Sequence, residues 1–157
     1  QGMKSVMSAT LILAPAYCIN TITKSMGAAD FLLGVCESWM TPALFLSVTF
    51  IAGAVISFFT GSSWGTFAIC IPIAVPMAYS FTGGHLGTLV YAAVGAVVSG
   101  GLFGDHCSPV SDTTVLSSLG AACDHIDHVR TQLPYALLAA AVSIILWIVV
   151  ALVGGAA

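Results

Sequence analysis

Charge is what this sequence has least of. Asp, Glu, Lys and Arg make up 6% of its 157 residues, where an ordinary soluble domain carries about 25%. No formally charged side chain stands between Glu37 and Asp105, and none follows Arg130. A soluble core of this size needs a polar coat, and so few charges cannot supply one. Only three residues are Lys or Arg and the net charge is -3. That leaves no basic footprint for nucleic acid and no polybasic surface patch. The five cysteines, Cys18, Cys36, Cys70, Cys107 and Cys123, are odd in number, widely spaced and mostly set in apolar runs. They read as packed thiols, not as a disulfide framework. A charged leader and a small-residue cleavage site are also missing before the first apolar run. The start is therefore not a signal peptide, and the chain is expected to be a fragment lacking its own beginning.

What is present is apolar. Hydrophobic residues reach 59% and mean hydropathy is +1.06. A membrane-crossing helix needs roughly 20 mainly apolar residues, and several such stretches fit. The expected fold is an all-α membrane protein forming a single transmembrane domain over 1–157. Its first span covers 5–23, between Lys4 and Lys24, with Pro15 as a kink. Residues 25–40, with Asp30, Glu37 and Trp39, suit a short interfacial element. Residues 41–80 form an uncharged block, 86–120 a broken helix, 121–132 a polar connector and 133–153 a last span. Small residues recur every four positions at Ala92, Ala96, Gly100 and Gly104, and again at Gly53, Ser57 and Gly61. Such stripes let helices approach closely in lipid.

Two polar interruptions carry the chemistry. The first, Gly61-Ser62-Ser63-Trp64-Gly65-Thr66, splits the 41–80 block. Non-helical backbone at membrane depth must be buried in protein or line a watery cavity. The block is therefore either one full span plus a half-span or a re-entrant hairpin with this segment at its tip, and the hairpin is preferred. Gly61, Ser62 and Gly65 shape the tip, while Ser63 and Thr66 offer neutral oxygens. The segment also fits G-x-S-x-G, but a hydrolase elbow needs a strand before it. Here both flanks read as helix.

The second interruption is Gly104-Asp105-His106-Cys107-Ser108-Pro109-Val110-Ser111-Asp112-Thr113-Thr114. Two carboxylates follow a long apolar helix without a cation nearby. Pro109 has no N–H for the carbonyl of Asp105 and disfavours a helical Ser108. Gly104 and Pro109 mark the break, and Ser108-Pro109 reads as the N-cap and first position of a new half-helix. Carboxylates beside the carbonyl end of a helix suit a small hard cation. Burial disfavours the charged carboxylate, so such a site can trade a proton for a cation. Asp105, Asp112, Ser63, Thr66, Ser108, Ser111 and Thr113 are the candidate cation- and proton-binding residues. Farther on, His125 and His128 stand three apart beside Cys123 and Asp124. They form a weaker metal candidate whose spacing fits no structural zinc pattern.

The Gly104–Thr114 segment resembles the G-D-H-C-S-P-[IV]-S-D-T-T signature of the NhaC family of sodium/proton antiporters. The likeness continues through Leu116-Ser117-Ser118, Gly120-Ala121, His125-Ile126-Asp127-His128-Val129 and Thr131-Gln132-Leu133-Pro134-Tyr135. Gly61–Thr66 resembles that family's G-[TS]-S-W-G-T segment. The resemblance implies half of an inverted-repeat transporter, in which a re-entrant hairpin and a discontinuous helix meet near the bilayer midplane. It implies sodium/proton antiport across a bacterial inner membrane, with sodium and protons as cargo and no bound cofactor. An exchange of organic acids, malate against lactate, is the alternative; an intramembrane serine hydrolase using Ser63 is a remoter one. The expected partners are the lipid bilayer, the N-terminal repeat of the same protein and, in a homodimer, a second copy. Half a site would make the fragment alone transport-incompetent. Arg130 weakly places the 121–132 connector in the cytoplasm.

Overall fold

The computed structural model describes residues 40–154 and, before them, Cys18, Thr21, Ile22, Ser25, Met26, Gly27, Phe31 and Gly34. Apart from those isolated positions, the first span expected at 5–23 lies outside the described residues. The rest is helical: α1 Pro42–Thr60, α2 Ser63–Phe81, α3 Thr88–Cys107, α4 Asp112–Gly120 and α5 His125–Gly154. Among the described residues there is no strand.

Each boundary follows from the residue that stands there. Thr41 is extended and its hydroxyl accepts the N–H of Leu44, while Pro42 occupies a first-turn position whose missing N–H costs nothing. Gly61, at φ +66, ends α1 in the left-handed conformation that glycine tolerates. Ser62 turns extended again and caps α2 by accepting the N–H of Gly65. The polar interruption of the 41–80 block is thus a two-residue link, Gly61–Ser62, between two helices of 19 residues each. At 1.5 Å per residue each is about 28 Å long. The second passes through Pro72 and Pro76 without ending.

Past Cys107 the outcome differs from the sequence expectation. The new half-helix begins at Asp112 on an N-cap at Ser111, not at Ser108-Pro109. Ser108 is occupied elsewhere: its hydroxyl donates to the carbonyl of Phe58 at 2.6 Å and accepts the N–H of Val110. Ser111 is the first residue whose oxygen can take a helix N–H, that of Thr113. The polar stretch 121–132 also divides. Ala122 takes a positive φ of 52, and Asp124 then caps α5 by accepting the N–H groups of Ile126 and Asp127. From His125 onward the stretch is helix.

The tightest packing is between α1 and α3. A Cβ placed on Gly100 would lie 2.2 Å from the carbonyl oxygen of Phe50, and one on Gly104 would lie 2.2 Å from that of Ala54. Backbone meets backbone there, and the Ser57 hydroxyl fastens the crossing by donating to the carbonyl of Gly101 at 2.6 Å. The two small-residue stripes therefore face one another. Around them Leu46, Phe50, Ala93, Ala96 and Val97 are buried almost completely. Phe67 of α2 covers Gly101, and Trp147 of α5 covers Gly95. α5 turns Leu138, Val142, Ile145, Val149 and Leu152 outward, an apolar surface too continuous for water. The helices 63–81, 88–107 and 125–154 are each long and apolar enough to cross a membrane, and Leu44–Thr60 is a shorter apolar helix.

Replacing Gly100 by Ala forces α1 and α3 apart and lowers stability by about 1–3 kcal/mol. Gly120→Ala, where nothing lies within 4 Å of the added carbon, leaves stability within about 0.5 kcal/mol. Thermal unfolding in detergent distinguishes them; equal midpoints would contradict the close crossing.

A candidate cation site where the helix break meets the α1–α2 link

The two polar interruptions, Gly61–Thr66 and Gly104–Thr114, are far apart in the chain and meet in the fold. A Cβ on Gly61 would fall 2.7 Å from the carbonyl oxygen of Val110, so the link presses its bare backbone against the break. Glycine is required there twice, by its positive φ and by this contact. Ser108 ties the same break to the last turn of α1 through Phe58. These contacts bring the first residue of α2 beside the last turn of α3.

Asp105 is at the centre, in the last turn of α3 and 8% exposed. Its Oδ2 accepts from the Ser63 hydroxyl at 2.9 Å and its Oδ1 from the Ser111 hydroxyl at 2.6 Å. Ser111 Oγ lies 2.8 Å from Thr113 Oγ1. If the Ser111 proton is spent on the carboxylate, Thr113 must be the donor of that pair. A hydrogen-bonded line thus runs from the buried carboxylate through buried Ser111 to exposed Thr113. No Lys or Arg occurs from residue 25 to residue 129. The carboxylate also stands at the helix end where the dipole is negative. Two hydroxyl donors soften that position, but they do not neutralise it.

The other candidates divide. Thr66 is fully buried one turn after Ser63, with its hydroxyl donating to the carbonyl of Ser62. Ser108 is buried beside the site but bonded to α1. Asp112, the first residue of α4, is exposed, so the two carboxylates occupy unlike surroundings. Gly104 is the contact with α1, and Gly65 supplies the N–H that caps on Ser62. The histidine metal candidate is not assembled. Both ring nitrogens of His125 are engaged, Nε2 with the Pro109 carbonyl and Nδ1 with Ser118. Among the described residues no three His, Cys, Asp or Glu side chains gather as a metal site. Ser63 faces a carboxylate and not a histidine. His85 follows the far end of α2, about 27 Å along the helix, and His106 contacts Gln132.

Two working residues are not among the candidate site residues. Thr114, 2% exposed, lies within hydrogen-bond distance of the carbonyls of Asp105 (3.3 Å) and His106 (3.1 Å). Its one O–H is shared between them, beside the long Ser108 N–H bond to the Asp105 carbonyl. The sequence signal was the N–H that Pro109 lacks, which leaves the end of α3 short of a donor. The other is Ser57, readable as a small residue on a stripe but not as the donor that joins two helices.

A sequence profile described as the Na+/H+ antiporter family matches residues 1–152. The chain belongs to that family. An uncharacterized protein of Haemophilus influenzae is 47% identical to this chain over 150 residues, 95% of the chain and 28% of the relative. The malate-2H(+)/Na(+)-lactate antiporter of Bacillus subtilis is 32% identical, over 98% of the chain and 32% of its own length. The Na(+)/H(+) antiporter NhaC of Alkalihalophilus pseudofirmus is 30% identical, over 95% of the chain and 31% of its own length. The chain spans about a third of the length of these curated relatives. No solved structure matches it. Family and helices together make this an integral membrane protein.

Thr114→Val removes the hydroxyl shared by the Asp105 and His106 carbonyls and destabilises the protein by about 1–3 kcal/mol, whereas Thr114→Ser keeps it. Unfolding midpoints in detergent check this; identical losses in both variants would show that the methyl group, and not the hydroxyl, matters.

Proposed function

We propose that the protein exchanges sodium for protons, and that Asp105 carries the exchange. The observation behind this is a buried carboxylate with two hydroxyl ligands, no cationic partner among the described residues and a negative helix end beside it. Such a group is stable when protonated or when a small cation sits against it, and strained when bare. Occupancy by one then excludes the other, which is the requirement for coupled exchange. Ser63, Ser111, Thr113 and Thr66 supply neutral oxygens of the kind a hard cation takes in place of water. Ser108 shapes the break, and Asp112 adds a second carboxylate at the exposed mouth.

The proposal includes the remainder of the fold. The α1–α2 pair acts as a hairpin that re-enters the bilayer, and a second repeat in inverted topology completes the site from the other side. Support comes from the open, exposed side at Asp112 and Thr113 and from relatives about three times as long. The membrane is the cell membrane of a bacterium, as the source organisms of the relatives suggest. One relative favours a second cargo: the Bacillus subtilis antiporter is named for malate and lactate. Exchange of organic acids through the same carboxylate, coupled to sodium or protons, is the alternative.

In vesicles holding the full-length protein, Asp105→Asn abolishes sodium-dependent proton flux, and Asp112→Asn reduces it. Undiminished flux in Asp105→Asn would overturn the assignment. A panel of carboxylates in the same assay separates the cargoes: flux that requires malate or lactate selects the alternative.

A further inference from the structure

We propose that His125 is a positioning residue for the cation site, acting through the carbonyl of Pro109. This rests on the sodium/proton reading of Asp105. His125 is the first residue of α5, yet its ring reaches back to two other elements. Nε2 lies 2.7 Å from the Pro109 carbonyl oxygen in the break, and Nδ1 lies 3.2 Å from Ser118 Oγ in α4. A carbonyl can only accept, so Nε2 carries the hydrogen. One imidazole thereby joins the break, the half-helix after it and the helix after that.

The break needs such a tether. Between Cys107 and Asp112 the backbone is neither helix nor strand. Within it the backbone bonds Ser108 N–H to Asp105 O and Ser111 N–H to Ser108 O are both long, at 3.4 Å. Ser111 must nevertheless hold its hydroxyl 2.6 Å from Asp105 Oδ1. From one side, Ser108 is anchored to Phe58 and Val110 rests on Gly61. From the other side, His125 holds the segment at the Pro109 carbonyl. Releasing the Pro109 carbonyl frees the two residues that precede Ser111 and loosens the ligand itself. His125 touches neither Asp105 nor Ser111, so its effect falls on how well the site holds a cation.

Two substitutions separate the ring's bonds, since a Gln amide nitrogen sits where Nε2 does and an Asn amide oxygen where the accepting Nδ1 does. In proteoliposomes of the full-length protein, His125→Gln keeps the bond to Pro109 and leaves the sodium concentration for half-maximal exchange within about threefold of the parent. His125→Asn keeps only the Ser118 side and raises it about tenfold, the scale of one lost hydrogen bond that leaves a carbonyl unpaired. Maximal rate stays within about twofold in both, because the exchanging groups are untouched. Equal half-saturation in the two variants, or a loss of maximal rate at unchanged half-saturation, would overturn the positioning role. Asp105→Asn in the same assay keeps the two claims apart. If it still exchanges sodium, the reading of Asp105 fails whatever His125 does. If it does not, and the Gln and Asn variants behave alike, the positioning role alone fails.

Discussion

A buried carboxylate held, among the described residues, by hydroxyl donors is the condition around which this structure is arranged. Asp105 sits 8% exposed in the last turn of α3, with no Lys or Arg from residue 25 to residue 129. Burial disfavours a bare carboxylate, and the proposed exchange builds on that. The neighbouring side chains follow suit. Ser63 and Ser111 direct their hydroxyls at its two oxygens, and Thr114 shares its hydroxyl between the carbonyls of Asp105 and His106. Every one of these groups is neutral, so the net charge changes only through what enters.

Holding the carboxylate there depends on glycine elsewhere. Gly100 and Gly104 let α3 touch the backbone of α1, and Gly61 lets the α1–α2 link touch the break at Val110. Because the crossing is so close, Ser63 at the start of α2 comes within 2.9 Å of Asp105 across 42 residues of sequence. The Ser57–Gly101 and Ser108–Phe58 bonds, both 2.6 Å, lock the same pair of helices at two levels. A rigid α1–α3 unit thus carries one wall of the site, while α4 and the start of α5 carry the other. His125 connects that second wall to the break.

Much of this was legible in the residues, for identifiable reasons. Pro109 and Gly61 punctuate backbone wherever they stand, so both breaks were visible without a fold. The two stripes of small residues announced a close helix pair, and the structure pairs them. What escaped reading was set by tertiary bonds. Ser108 has the right chemistry for a cap, but Phe58, 50 residues away, claims its hydroxyl, and the cap moves to Ser111. The stretch around His125 is polar enough to pass for a connector, yet Asp124 caps it into helix and its histidine turns inward. Asp105 and Asp112 look alike in sequence and differ in burial, because one ends a packed helix and the other begins an open one.

The chain belongs to the Na+/H+ antiporter family, and in the exchange proposed for it proton and cation compete for one carboxylate, Asp105. Competition of that kind has a direct signature that needs no membrane gradient. Adding sodium to the purified full-length protein in weakly buffered detergent solution should release protons, and the Asp105→Asn protein should release none. Proton release of undiminished size from Asp105→Asn would contradict the account, since the exchanged proton would then reside on another group.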